Sequence, residues 1–236
     1  MTTQRLYVQD SPPLVVTATV TAVQADMFCT DVSPFFAGGG GQPADQGTVN
    51  GVPITQLVRD DADCLWHTAD CSVAVGDTVT LQVDALFRQT VSRYHTALHI
   101  LNTLALTHYQ AWLTGAAIAF DYARIDIKVD LLEPAMIADL EARMNTVIAA
   151  NHTVCSWSVP TEVFAQRPEL VRTINVAPPA YRGQIRVVEI VGFDAQACGG
   201  THVTHTAMIG RCEIFKSENK GKHNKRLYVR FTALDK

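Results

Sequence analysis

Apolar and polar residues alternate from Leu14 to Val23 and again from Thr78 to Phe87, after the Gly76-Asp77 turn. A period of two predicts strands with one buried face, so the first third of the chain reads as a small β domain. Around Arg88 to Ser92 the period changes. From a predicted N-cap at Ser92, the residues Tyr94, Ala97, Leu98, Leu101 and Ala105 recur at helical spacing and form a core-facing stripe, which places a domain boundary between residues 88 and 89. Alternation returns from Ile118 to Val129. Glu133-Pro134 then opens a second predicted helix, proline being tolerated in a first turn, with Ile137, Leu140, Met144, Val147 and Ile148 as its buried side. Short strands are predicted from Thr153 to Val159 and from Ile185 to Val191, separated by a helical turn at Thr161 and a loop at Pro178-Pro179. Two last strands, Ile209 to Lys216 and Arg226 to Thr232, would present Leu227, Val229 and Phe231 on one face.

Two spacings within this pattern carry chemistry. His95-Thr96-Ala97-Leu98-His99 lies inside the predicted helix, where side chains at i and i+4 share a face and two imidazoles can reach one ion. Cys198-Gly199-Gly200-Thr201-His202 is not helix interior, because paired glycines make a sharp turn from which a thiolate and an imidazole can converge. Three nitrogens and one sulfur suit zinc, which accepts soft and borderline donors, whereas magnesium and calcium want oxygen. The expectation is one zinc per chain, held by His95, His99, Cys198 and His202. A peptidase is disfavoured. Its H-E-x-x-H helix needs a glutamate as general base, and Thr96 occupies that position.

Length and composition narrow the setting. The 236 residues suffice for one large domain or two small ones, and 47% hydrophobic with 18% charged residues is ordinary for a globular chain. Met1 to Pro13 lacks a basic start followed by an apolar run, and no eighteen apolar residues occur in succession, which predicts a cytoplasmic protein with no membrane partner. Cys29, Cys64, Cys71, Cys155, Cys198 and Cys212 are scattered and read as reduced thiols. With a formal charge of −4 there is no global field to attract nucleic acid, so RNA contact has to be local. Lys216, Lys220, Lys222, Lys225, Arg226 and Arg230 crowd the last hairpin against Glu218. Such a turn is ordinarily a solvated edge; beside a metal site it also suits a phosphodiester backbone. The run Gly38-Gly39-Gly40-Gly41 has no Gly-Lys-Ser/Thr after it, which disfavours a nucleotide cofactor and leaves two uses, a close backbone approach to a ligand or neighbouring domain, or a flexible turn.

In order along the chain, His95 to His99, Cys198 to His202 and the segment from Ile209-Gly210 to Arg226 with Glu218-Asn219-Lys220-Gly221-Lys222 resemble the freestanding alanyl-tRNA editing proteins, often called AlaX. They also resemble the related editing domains of alanyl- and threonyl-tRNA synthetases. Gly39-Gly40-Gly41-Gln42-Pro43 with Asp45 and Gly47 looks like the glycine-rich motif of the medium and long types. The resemblance covers nearly the whole chain. It implies an α+β protein: an N-terminal, small β-barrel-like domain over 1–88 with the Gly-rich loop, then a C-terminal α/β sandwich editing domain over 89–236 with the zinc site. The implied activity is zinc-assisted hydrolysis of mischarged tRNA(Ala), removing serine and in some members glycine. His95, His99, Cys198 and His202 would act through the metal. Ser33, at a position associated with recognising the serine hydroxyl, would contact the substrate together with Gly39, Gly40, Gly41, Gln42, Asp45 and Thr201. Lys216, Lys220, Lys222, Lys225 and Arg226 would hold the tRNA. An aminoacyl ester is already labile, so a polarised carbonyl and an oriented water suffice without a strong carboxylate base. The alternative is a non-catalytic tRNA-binding module with a structural zinc, because four protein ligands close a tetrahedron. Oligomeric state is not legible in the sequence.

Overall fold

Eight strands precede the first helix in the computed structural model, which describes residues 2–172 and 178–232. They are β1 (Gln4–Arg5), β2 (Val15–Gln24), β3 (Met27–Thr30), β4 (Val32–Ser33), β5 (Gly47–Val49), β6 (Val52–Arg59), β7 (Leu65–Ala69) and β8 (Thr78–Val83). Six of them close a barrel in the order β2-β3-β7-β6-β5-β8, while β1 and β4 form a separate parallel pair. The alternation read from the sequence is what closes it. In β8, Val79, Leu81 and Val83 are buried and the residues between them exposed, so one face meets Val20, Phe28, Val49 and Leu65 in a common core.

The predicted strand to Phe87 stops at Val83, and α1 (Ala85–Tyr109) begins two turns before Ser92. The cap is Asp84, whose Oδ1 accepts the Phe87 N–H at 2.9 Å; this satisfies an orphan donor of the first turn. Ser92 is instead a buried interior residue. The chain divides within this helix: one compact unit comprises Met1–Gly39 and Pro43–Thr90, the other Gly40–Gln42 and Val91–Lys236. Gly40–Gln42, which the sequence reading leaves in the first domain with the rest of the glycine run, thus belongs to the second unit.

In that unit the continuous alternation from Ile118 to Val129 resolves into part of a hairpin. Strands β9 (Trp112–Ile118) and β10 (Ala123–Lys128) are joined by a turn in which the Ala119 N–H donates to Tyr122 O at 2.8 Å. Then come α2 (Pro134–Ala149), β11 (Val154–Pro160), α3 (Thr161–Phe164), β12 (Ala180–Tyr181), β13 (Gln184–Ile190), β14 (Asp194–Ala197), β15 (Cys212–Asn219) and β16 (Asn224–Phe231). Two antiparallel sheets result, β15-β16-β10-β9 and β11-β13-β12 with β14 also on β13. Ile209 lies in a 3₁₀ turn, not in the strand expected from it. Along α2 the buried residues are Met136, Leu140, Met144 and Ile148; Ile137 and Val147 are only partly covered.

One side of the β15-β16-β10-β9 sheet is core, with Ile125, Ile127, Leu227 and Val229 at most 1% exposed and Phe231 stacked on Tyr94 of α1 at 3.9 Å. The other side carries Arg124, Asp126, Arg226, Tyr228 and Arg230. At the β15 edge, Asn145 of α2 binds the backbone of Cys212 in both directions: its Oδ1 accepts the N–H at 2.9 Å and its Nδ2 donates to the carbonyl at 2.8 Å. Glu141 Oε2 accepts the next outward N–H, that of Ile214, at 2.7 Å. No helix among the described residues is long and apolar enough to cross a membrane.

Candidate metal centre

Both four-residue spacings come together in the second unit. One ligand atom each from His95, His99, Cys198 and His202 lies within 4.8 Å of all the others. The α1 pair shares a face as helix periodicity requires, with the two rings edge to face at 4.9 Å. The loop pair follows β14. Cys198 Sγ is 3.5 Å from His95 Nε2 and 3.3 Å from His202 Nε2, and Gly200 N–H donates to the sulfur at 3.4 Å.

Two rings are oriented by hydrogen bonds on their far nitrogens. His95 Nδ1–H donates to Gln42 Oε1 at 2.8 Å, which turns Nε2 toward the cluster. The same Oε1 accepts the Thr201 N–H at 3.0 Å, and Gln42 Nε2 donates to Thr201 Oγ1 at 2.9 Å. Ser92 Oγ completes this set at 2.8 Å from Thr201 Oγ1. On the opposite side Thr96 Oγ1 donates to the Ser92 carbonyl at 2.9 Å and accepts from His202 Nδ1–H at 3.1 Å. Thr96 therefore holds a ligand in place, a role that its position between the two histidines foreshadows and that the sequence reading used only to exclude a peptidase. Arg186, on β13, donates to the Gly200 carbonyl at 2.8 Å and secures the loop; no spacing in the sequence pointed to it.

Close packing fixes two glycines. A Cβ at Gly200 would stand 2.3 Å from His95 Cε1 and 2.5 Å from Gln42 Oε1, and one at Gly41 would stand 2.3 Å from the Ala116 carbonyl oxygen. Gly41 also accepts the Ile118 N–H at 2.8 Å. A close backbone approach is made there, against β9 of the same unit.

Burial dominates the electrostatics. It drives His95 and His202 well below the ordinary histidine value, with neighbouring imidazoles and Arg186 adding to the shift, and His99 down to about 3, with Arg186 and Arg172 adding to it. Neutral imidazoles are the form that binds metal. Burial raises the Cys198 thiol, opposed by the Gly200 N–H and Arg186, and a cation among these donors would reverse that by stabilising the thiolate. Three neutral nitrogens and one sulfur, two of the rings held from behind, fit a bound metal ion.

Other residues expected at the site are committed elsewhere. Gln42 and Thr201 are buried and bonded to each other, and Gln42 to His95, so the pair positions that ring. Asp45 forms a buried ion pair with Arg88, Nε to Oδ1 at 2.8 Å, and accepts the Phe36 N–H at 2.5 Å; it stabilises the first unit. Ser33 is 0% exposed. Its hydroxyl meets His67 Nε2 at 3.0 Å and accepts the Phe35 N–H at 3.3 Å, so its bonding is used inside the first unit. A side chain at Gly39 or Gly40 would meet nothing within 4 Å. Of the cations in the last hairpin, Lys225 is buried with its Nζ donating to the Gly221 and Lys222 carbonyls. Arg226 is paired with Asp126 through two bonds of 2.6 and 2.8 Å, and Lys216 with Glu218 at 2.6 Å. Lys220 and Lys222 are exposed.

Comparison with known proteins places this arrangement. A family model described as threonyl and alanyl tRNA synthetase second additional domain matches residues 185–228, which include Cys198 and His202. The alanyl-tRNA editing protein AlaX-M of Saccharolobus solfataricus is 31% identical over 236 residues, 96% of this chain and 98% of that protein. AlaX-M of Methanosarcina barkeri is 30% identical over 244 residues, 99% and 100% of the two chains. The alanine–tRNA ligase of Methanosarcina acetivorans is 32% identical over 227 residues, 92% of this chain but 24% of that enzyme. With identity at this level along the full length of such relatives, the chain belongs to the AlaX-M family of alanyl-tRNA editing proteins.

Proposed function

We propose that this protein is a trans-editing hydrolase that deacylates tRNA(Ala) wrongly charged with serine or glycine, using zinc held by His95, His99, Cys198 and His202. The observation that carries the proposal is the convergence of these four donors within 4.8 Å in a chain of the AlaX-M family. Zinc bound there supplies Lewis acidity toward an ester carbonyl and an attacking water. The rest is done by the chain. Gln42 fixes the His95 ring and Thr96 the His202 ring, the absent side chain of Gly200 lets the loop close over His95, and Arg186 ties the loop down. Such preorganisation matters because a small displacement of catalytic groups costs rate. No carboxylate belongs to the donor set, which suits a labile ester better than an amide.

A structural zinc in a non-catalytic tRNA-binding module is the second reading, favoured by the four protein donors. Incubation with Ser-tRNA(Ala) separates the two. Serine release by the wild type, abolished in Cys198→Ala with the fold intact by circular dichroism, is the expected result; retention of Ser-tRNA(Ala) without turnover sinks the hydrolase.

A further inference from the structure

The solvent side of the β15-β16-β10 layer bears more aromatic surface than a plain outer face needs. Tyr228 on β16 lies 6.0 Å from Phe215 on β15 and 5.8 Å from Tyr122 in the turn just before β10, centroid to centroid. Phe215 is 39% exposed, and the two tyrosines are partly so. Cations stand beside two of the rings: Lys216 Nζ is 4.8 Å from the Tyr228 centroid and Arg230 Cζ 4.8 Å from that of Phe215. Arg124 and Arg226 converge on the single carboxylate of Asp126, while Lys216 pairs with Glu218 and Arg230 with Glu213, so these four cations meet three carboxylates and the face keeps a small positive excess in a chain whose net charge is −4.

We propose that this face is a stacking platform for an unpaired stretch of RNA, with Tyr122, Phe215 and Tyr228 under the bases and Arg124, Lys216 and Arg230 beside the backbone. Two features together select this ligand. Exposed rings accept the flat face of any base without regard to sequence, while neighbouring cations take the phosphates. An antiparallel sheet with one face in the core and the other open is a surface on which splayed bases can lie, whereas duplex RNA hides its bases from such contact. The inference rests on the reading that the substrate is an aminoacyl-tRNA, and it replaces Lys225, which is consumed in its own turn, with the ring-bearing face as the RNA contact.

The test titrates the whole protein with a fluorescein-labelled single-stranded RNA of about eight nucleotides and with a duplex of the same sequence, by anisotropy. Phe215→Leu and Tyr228→Leu keep apolar bulk and remove the ring; each is expected to weaken single-strand binding roughly tenfold with duplex binding unchanged. Tyr228→Phe should bind as the wild type does. In Phe215→Trp, which retains a ring, indole fluorescence should fall as the single strand is added, a readout that survives if a leucine variant fails to fold. Unchanged single-strand affinity in folded leucine variants, equal loss for single strand and duplex, or an indole signal that is not quenched in Phe215→Trp overturns the platform. Serine release from Ser-tRNA(Ala) is followed in parallel. Absence of release by the wild type sinks the hydrolase reading and leaves the binding result interpretable, whereas release alongside unaltered single-strand affinity sinks the platform alone.

Discussion

His67 in the first unit and His95 in the second are both buried imidazoles with one nitrogen anchored, and they differ in what the other nitrogen meets. His67 Nδ1–H donates to the Phe28 carbonyl at 3.3 Å and Nε2 accepts from Ser33, with the ring stacked on Phe28 at 5.2 Å. Both ring nitrogens are bonded within the first unit. His95 donates from Nδ1 to Gln42 in the same way, but its Nε2 faces sulfur and two further imidazoles. Burial alone therefore does not mark a functional histidine. What distinguishes His95 is that its Nε2 meets a thiol and lies among two further imidazoles, a set of donors that could hold a metal ion.

Four experiments press on this contrast. The largest effect is expected from Asp45→Ala, which strands the buried Arg88 charge. Loss of about 3–5 kcal/mol should appear as a lower urea midpoint, with the zinc content of whatever remains folded unchanged. A drop in zinc content at matched folded fraction would place Asp45 with the metal centre instead. Gln42→Leu should have the reverse profile: zinc affinity about 10–100-fold weaker in competition with a chelator. A folded Gln42→Leu protein with wild-type affinity would mean that His95 needs no orienting partner.

The third experiment is a pH series. Burial holds His67 down at about 4 against 6.5 for a free histidine. Protons thus bind more readily to the unfolded chain, so His67 contributes stability above about pH 6.5 that is lost as the pH falls toward about 4. In metal-loaded protein, His67→Gln should flatten that limb of the stability curve relative to wild type; identical limbs would show that another group titrates there. Smallest is Ser33→Ala, expected to cost about 1–3 kcal/mol by leaving His67 Nε2 without its donor. The preference for seryl over alanyl esters should not move, and a shift toward alanyl-tRNA(Ala) hydrolysis would return Ser33 to the substrate.

The four candidate metal donors were legible because each pair is encoded locally, by an i, i+4 spacing on a helix and by glycines in a turn. The role of Gln42 was not, since its partner Thr201 lies 159 residues away and nothing local distinguishes an orienting amide from a substrate-facing one. For the same reason the hydrogen-bond partners of Ser33, Asp45 and Lys225, for which the family resemblance implies substrate or tRNA contacts, were not legible: residue type shows capacity to bond, and only the fold shows which neighbours use it. Among the elements, the barrel strands followed from their alternation. The start of α1 was misplaced because two residues, Asp84 and Ser92, both suit a cap, and the tight turn at Ala119 to Tyr122 was hidden by alternation that runs straight through it.

The grip of α2 on β15 bears on how this protein behaves in a crowded cell. A strand at the margin of a sheet offers its free backbone to any passing segment that can extend the layer. Here one asparagine imitates that visitor, occupying both backbone groups of Cys212, and a glutamate takes the next amide along. The helix is thus a built-in stopper, and runaway growth of the layer from this margin is forestalled before a second molecule arrives.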